Sequence, residues 1–260
     1  MQVTYQMDLP NLKKNPLKVN FLIVGAQKSG TTALLHFLQE HPQVCMPKQE
    51  VHFFDNDKLF EGKTINYNLY HQFFLLNKNT KAIGEKTPIY MYWSGVAERI
   101  YNYNSKIKLI FILRNPIERA YSQYIMEKNR NLESLPFFLA LRLEKLRRKR
   151  LATKQHRVYS YIDRGYYSEQ IKNYLRHFSR EQMLFIKNED LKEHHNLTIE
   201  KVCKFLDITH IAHSQSRKIH SNNYLPISLI NKKYLIKKYK PSIIELEKLL
   251  DWDCSQWLKL

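Results

Sequence analysis

The stretch FLIVGAQKSGTTALLHFLQ, residues 21–39, limits the folds open to this chain more than any other. It begins as an apolar, β-rich run, passes through a loop of Gly, Ala, Gln, Lys and Ser, and ends with Leu34, Leu35 and Leu38 at helical spacing. The pattern predicts a strand over residues 19–24 and a helix over 31–40. A strand that feeds directly into a helix reaches its next sheet partner by a crossover, which commits the chain to parallel pairing.

The same rhythm recurs downstream. Residues 81–84 and 183–186 read as strands, and KLIFIL, residues 108–113, as a buried one; 95–103, 168–178 and 197–206 read as helices, and Pro116 suits the first turn of another. The predicted fold is α/β: three layers around a central parallel sheet, with residues 1–260 as a single domain and ligands held at the carboxyl ends of the strands. The tail, residues 234–260, carries the helical pattern IIELEKLL, with Trp252 and Trp257 expected to pack against the body. Residues 132–157 break the rhythm. Within them RLEKLRRKRLATKQHR, residues 142–157, has few apolar positions and reads either as a solvated, mobile insertion or as a contact surface for an anionic acceptor.

The loop between the first strand and helix is built for an anion, because unpaired backbone N–H groups and the helix dipole converge there. Its spacing departs from the Walker pattern GxxxxGK followed by Ser or Thr. Gly25 and Gly30 are correctly separated, but Thr31 stands in place of the lysine, which lies inside the loop at Lys28. A lysine there approaches the terminal group of a 5′-phosphate chain, while Ser29, Gly30, Thr31 and Thr32 offer backbone and hydroxyl donors. A plain βα turn with a surface lysine is the alternative. A second strand end, LIFILRNPIERAYSQY, supplies Arg114, a capping Asn115 and, two turns into the next helix, Ser122. Arginine in this position suits a phosphate dianion, although Arg114 and Arg119 could equally be ion-pair partners of Glu118.

Composition narrows the partners. Lys and Arg total 42 against 24 Asp and Glu, a formal charge of +18 with a pI near 9.7, which draws nucleotides, acidic glycans, nucleic acid or lipid headgroups without choosing among them. Cys45, Cys203 and Cys254 show no CxxC pairing, no run of about 18 apolar residues is present to span a bilayer, and the first residues lack a signal-peptide core. These features predict a soluble, cytoplasmic chain. No metal-ligand cluster stands out.

Together, GAQKSGTT and RNPIERAYS resemble the 5′-phosphosulfate loop and the 3′-phosphate site of sulfotransferases that use 3′-phosphoadenosine-5′-phosphosulfate (PAPS), with the match running over residues 21–208. KQEVHFFD is similar to a segment of the glycosaminoglycan enzymes whose glutamate is the catalytic base, which maps onto Glu50. GEKTPIY resembles a segment whose lysine lies near the transferred group, which maps onto Lys86. RGYYSEQI resembles a segment that helps close the nucleotide pocket in bacterial members, and Tyr166 is its candidate contact. The resemblance departs in two places: no cysteine pair exists to fasten a closing loop, for which Arg217 or Lys218 in SQSRKIHSNN is the nearest candidate, and no Golgi-type anchor is seen.

The resemblance implies a transferase that moves a sulfuryl group from PAPS to an acceptor hydroxyl, with 3′,5′-ADP as product and no metal. The acceptor is a glycan or, alternatively, a small natural product in a pocket lined by Phe53, Phe54, Tyr90, Tyr92 and Trp93; no nucleic acid is expected. Lys28 would stabilise the bridging and sulfuryl oxygens. For the base, Glu50 has a rival in His52, which on a strand would share its face and could instead pair with Asp55. A P-loop kinase or NTPase predicts an acidic residue for Mg²⁺ at a strand end, where Arg114 stands. A non-catalytic polyanion binder would leave Lys28 and Arg114 unexplained.

Overall fold

Alternation along the central strands sets the architecture. In β1 (Phe21–Gly25), Phe21 and Ile23 pack into one apolar cluster while Leu22 and Val24 pack into another; in β4 (Lys108–Leu113), Ile110 and Ile112 join the first, and Leu109, Phe111 and Leu113 the second. Strands buried on both faces need helices on both faces. The computed structural model, which describes residues 18–62, 64–211 and 225–260, supplies them.

Helix α1 (Thr31–Gln39) follows β1, and the chain continues through β2 (Val44–Cys45), α2 (Asn68–His71), β3 (Ala82–Lys86), α3 (Val96–Tyr103) and β4. Then come α4 (Pro116–Asn129), α5 (Phe137–Arg150), α6 (Tyr167–Leu175), β5 (Met183–Lys187), α7 (Asn188–Glu193), α8 (His195–Leu206) and α9 (Leu229–Leu250). All strand pairs are parallel, in the order β2-β3-β1-β4-β5. Residues of α1 and α8, including Leu34, Leu38, Val202 and Leu206, fill the first cluster. Ile100 of α3, Ala120 of α4, Ile171 of α6 and Leu235 of α9 belong to the second. This is the three-layer α/β arrangement the sequence predicts.

Local signals act as read. Asn115 caps α4 by accepting from Ile117 N at 3.0 Å, with Pro116 opening the helix. Trp257 is buried and donates to Glu189, and Trp252 packs on the body. The tail helix starts earlier than its IIELEKLL pattern, where Ser228 accepts from Asn231 N. Residues 132–157 contain α5, which buries Phe137, Ala140 and Leu141 in its first half and then, where the sequence turns basic, anchors its inner face through a carboxylate. Glu144 is buried and accepts from Ile162 N at 2.8 Å and Asp163 N at 3.0 Å; Arg147 and Arg148 pair with Glu133 and Asp163.

Replacing Glu144 with alanine strands two backbone N–H groups at a buried position, at ~1–3 kcal/mol each. Urea denaturation should show that loss, and tryptic cleavage within Arg147–Arg150, slow in the intact chain, should accelerate in Glu144→Ala.

Candidate active site

Parallel pairing brings the carboxyl ends of β3, β1 and β4 side by side: Phe21 lies opposite Gly84 and Lys108, and Ile23 opposite Lys86 and Ile110. The loop after β1 therefore opens between the ends of its two neighbours. It is held from the β4 and β5 side. Ala26 N donates to Ile112 O at 2.7 Å, and Asn188, at the start of α7, donates through Nδ2 to Ser29 O at 2.8 Å. Gly30 has φ of +95°, and a Cβ there would meet that same Asn188 nitrogen at 2.6 Å, so both the backbone sign and the space demand glycine. The N–H groups of Lys28, Gly30, Thr31 and Thr32 have no hydrogen-bond partner among the described residues. They form the donor nest expected at a helix start.

Lys28 sits in this nest with φ of 69° and its side chain partly buried. Burial lowers its pKa, and the guanidinium groups of Arg130 and Arg114 lower it further against the opposing pull of Glu127. Three cations thus converge where an anion would relieve their repulsion. Arg114, just past β4, donates Nη1 to Lys28 O at 3.4 Å and holds Glu118 Oε2 through Nη2 at 2.7 Å. Of the two arginines expected to compete for Glu118, Arg114 takes it; Arg119 is fully buried and donates to Gln123 and to the Tyr161 carbonyl. Ser122 lies one turn beyond Glu118 on α4, on the same side.

The RGYYSEQI segment meets the loop through residues other than Tyr166. Arg164, buried, donates to Gln27 Oε1, and Tyr167 donates to Arg114 O at 2.9 Å, whereas Tyr166 lies edge-on against Tyr239 of α9. Confinement pushes the Arg164 pKa down to about 10, with Arg119 adding to the effect. Arg217 and Lys218 lie outside the described residues.

The second half of the site follows β3. Lys86, its last residue, donates Nζ to Glu50 Oε1 at 2.6 Å. His52 sits between two carboxylates, with Nε2 3.4 Å from Glu50 Oε2 and Nδ1 2.9 Å from Asp55 Oδ2. It does not share Glu50's side by strand alternation as the sequence predicts; residues 50–53 form no strand, and His52 turns back with φ of 54°. Hydrogen bonds that the protonated ring donates to the Asp55 and Glu50 carboxylates raise the His52 pKa to about 9. Burial opposes the charge of Glu50, but His52 and Lys86 outweigh it and lower its pKa. Behind this line, Thr87 Oγ1 accepts from Val51 N and donates to buried Glu85, and Tyr90 OH accepts from the N–H groups of Phe53 and Phe54.

Several contributors escaped the sequence reading. Asn188 and Arg164 join the donor loop, and Tyr167 the Arg114 carbonyl, across more than 50 residues of sequence, and no local pattern marks them. Thr87 and Glu85 lie inside the GEKTPIY segment, in which the resemblance marks only Lys86. The aromatic residues expected to line a small-molecule pocket divide: Phe53, Phe54, Tyr90 and Tyr92 are core, and only Trp93 is partly exposed.

Comparison with known proteins agrees with this geometry. A family model described as Sulfotransferase domain matches residues 18–242. Heparan sulfate glucosamine 3-O-sulfotransferase 5 of Homo sapiens is 33% identical over 190 residues, covering 72% of this chain and 53% of that protein, so the chain spans about half the length of this relative. Membrane-associated sulfotransferase kil1 of Dictyostelium discoideum is 25% identical over 310 residues, covering 90% of the chain and 65% of its own length. The solved sulfotransferase from Alicyclobacillus acidocaldarius superposes with a TM-score of 0.82 at 27% identity, covering 94% of this chain and all of that one. With matches across most of its length, and with its loop and strand-end residues gathered as described, this chain belongs to the sulfotransferase family.

Proposed function

We propose that the chain moves a sulfuryl group from PAPS to a hydroxyl of an anionic glycan or glycan-like acceptor and releases 3′,5′-ADP. The observation that carries this reading is the pairing of two unlike sites at adjacent strand ends. The Lys28 nest after β1 suits a bound anion, and the Lys86–Glu50–His52 line after β3 suits a hydroxyl about to lose its proton.

Sulfuryl transfer asks for positioning, stabilisation of charge on the leaving oxygen and a base for the acceptor proton. Lys28 and the N–H groups of Ser29–Thr32 would hold the 5′-phosphosulfate end, and Arg114 with Ser122 the 3′-phosphate. Ser29 is a poorer donor than its neighbours, since its N–H already bonds Ala26 O at 3.1 Å. Glu50 is kept ionised by His52 and Lys86, the form a base requires. His52, with a pKa near 9, already carries its proton at neutral pH, which favours Glu50 over it as base. The burial of the candidate pocket aromatics favours an open acceptor surface over an enclosed one. Three free, buried cysteines accord with a reducing compartment, and among the described residues no helix is long and apolar enough to cross a membrane.

Calorimetric and thermal titration with 3′,5′-ADP, without metal, should reveal tight binding. Saturation near 100 times Kd adds ~2.7 kcal/mol of stability. Binding of ATP with Mg²⁺ in its place would overturn the donor assignment in favour of a kinase.

Steady-state kinetics should separate the two halves of the site. Arg114→Ala should raise KM for PAPS. Glu50→Gln should lower kcat by ~10²–10⁴-fold with 3′,5′-ADP affinity intact.

The raised His52 pKa also fixes a pH window. Because the folded value lies above the unfolded one, its stabilising contribution is complete below ~6.5 and disappears as pH rises through about 9. The stability difference between wild type and His52→Asn, followed by urea denaturation across this window, should therefore shrink toward zero above pH 9.

A further inference from the structure

The charged line Lys86, Glu50, His52, Asp55 ends on a residue from a distant part of the chain. Arg157, just beyond α5 in the basic segment, places Nη2 2.6 Å from Asp55 Oδ2 and 3.1 Å from the Asp55 carbonyl. Its guanidinium also lies 4.9 Å from the Trp93 ring centroid. The backbone carbonyl of Arg157 accepts from Arg164 Nη2 at 2.6 Å, and Arg164 in turn donates to Gln27 beside Lys28. One short segment therefore touches the donor loop with one arginine and the proposed base line with another.

We propose that Arg157 is a positioning residue for sulfuryl transfer, holding the Asp55 carboxylate so that His52 keeps Glu50 aimed at the acceptor hydroxyl. The inference rests on the reading of Glu50 as the base. Asp55 is buried, and its Oδ1 has no hydrogen-bond partner among the described residues, so Oδ2 carries both the His52 and the Arg157 contacts. His52 holds a left-handed backbone conformation that a residue with a Cβ adopts only when its surroundings enforce it. The enforcing contacts are Thr87 Oγ1 on its N–H side and Asp55 on its ring. Removing Arg157 leaves a buried carboxylate with His52 as its remaining side-chain partner, which gives Asp55 freedom to turn toward water and take the imidazole with it. A displacement of about 1 Å at a reacting group costs on the order of 10²-fold in rate.

Two other roles for Arg157 make different predictions. A bystander surface ion pair contributes nothing measurable. A direct contact to an acidic acceptor changes acceptor binding without changing the chemical step. The Arg157 side chain is 47% exposed, which leaves room for a small guanidinium ion to occupy its place.

The test compares the full-length wild type, Arg157→Ala, Arg157→Lys and Glu50→Gln with PAPS and heparan sulfate as probe substrates, alongside 3′,5′-ADP affinity. The expected result for Arg157→Ala is a kcat lower by ~10²-fold with 3′,5′-ADP affinity unchanged. Added guanidinium chloride, well below denaturing concentration, restores part of that loss where equal sodium chloride does not, and Arg157→Lys falls between the two. An unchanged kcat, a rise confined to the acceptor KM, or a loss that guanidinium fails to mend overturns the proposal. If Glu50→Gln retains full kcat, the base assignment itself falls; if only Glu50→Gln is impaired, the role of Arg157 falls alone.

Discussion

The register of β1 between β3 and β4 is the constraint on which the site depends. Ile23 faces Lys86 on one side and Ile110 on the other, so the loop that follows β1, the lysine that ends β3 and the arginine just past β4 emerge at one edge of the sheet. A shift of one residue in a parallel pair would turn the apolar sets of both faces toward the wrong layer. The clean division of Phe21 and Ile23 from Leu22 and Val24 between two clusters makes that shift costly. Stability and function are joined here: the apolar pattern that selects the register also selects which charged side chains meet.

Charge at this edge is organised by position rather than amount. Around the donor loop, cations crowd one another, and burial with neighbouring arginines lowers the Lys28 pKa. Two strands away in function but adjacent in space, charges alternate: Lys86, Glu50, His52, Asp55, Arg157. Glu118 and Glu127 offset the first arrangement only in part, since the Lys28 pKa stays lowered, whereas the second pairs each charge with an opposite one. A satisfied line holds its geometry without a ligand, which is the preorganisation a proton-transfer group needs.

Most of the fold was legible in the sequence because its signals are local. Strand runs such as KLIFIL, the Asn115–Pro116 start and the glycines of the Lys28 loop each act within a few residues. Short edge pieces were not legible: β2 contains only Val44 and Cys45, too few for a period to show. The basic segment misled for a related reason. Its helix buries Glu144 in place of an apolar residue, and a carboxylate that anchors through two backbone N–H groups looks, in sequence, like another solvent-facing charge. In the site, motif residues could be located but not their supports. Asn188, Arg164 and Arg157 act over sequence separations that no spacing rule reaches.

The buried charges also bear on the acceptor. Among the described residues, the buried acids are Asp55, Glu85, Glu127, Glu133 and Glu144, against the bases Lys86, Arg119 and Arg164. Burial pushes Glu85 and Glu144 up to about 7, so part of this acidic content carries no full charge near neutrality. Each proton that these two hold raises the net charge above the +18 formal total, which counts every Asp and Glu as ionised. A field of that sign steers polyanions over distances of about a Debye length, ~8–10 Å at physiological salt. An uncharged small acceptor gains nothing from it. The interior use of carboxylates and the pull that the proposed glycan acceptor would feel are therefore consequences of one distribution of charge.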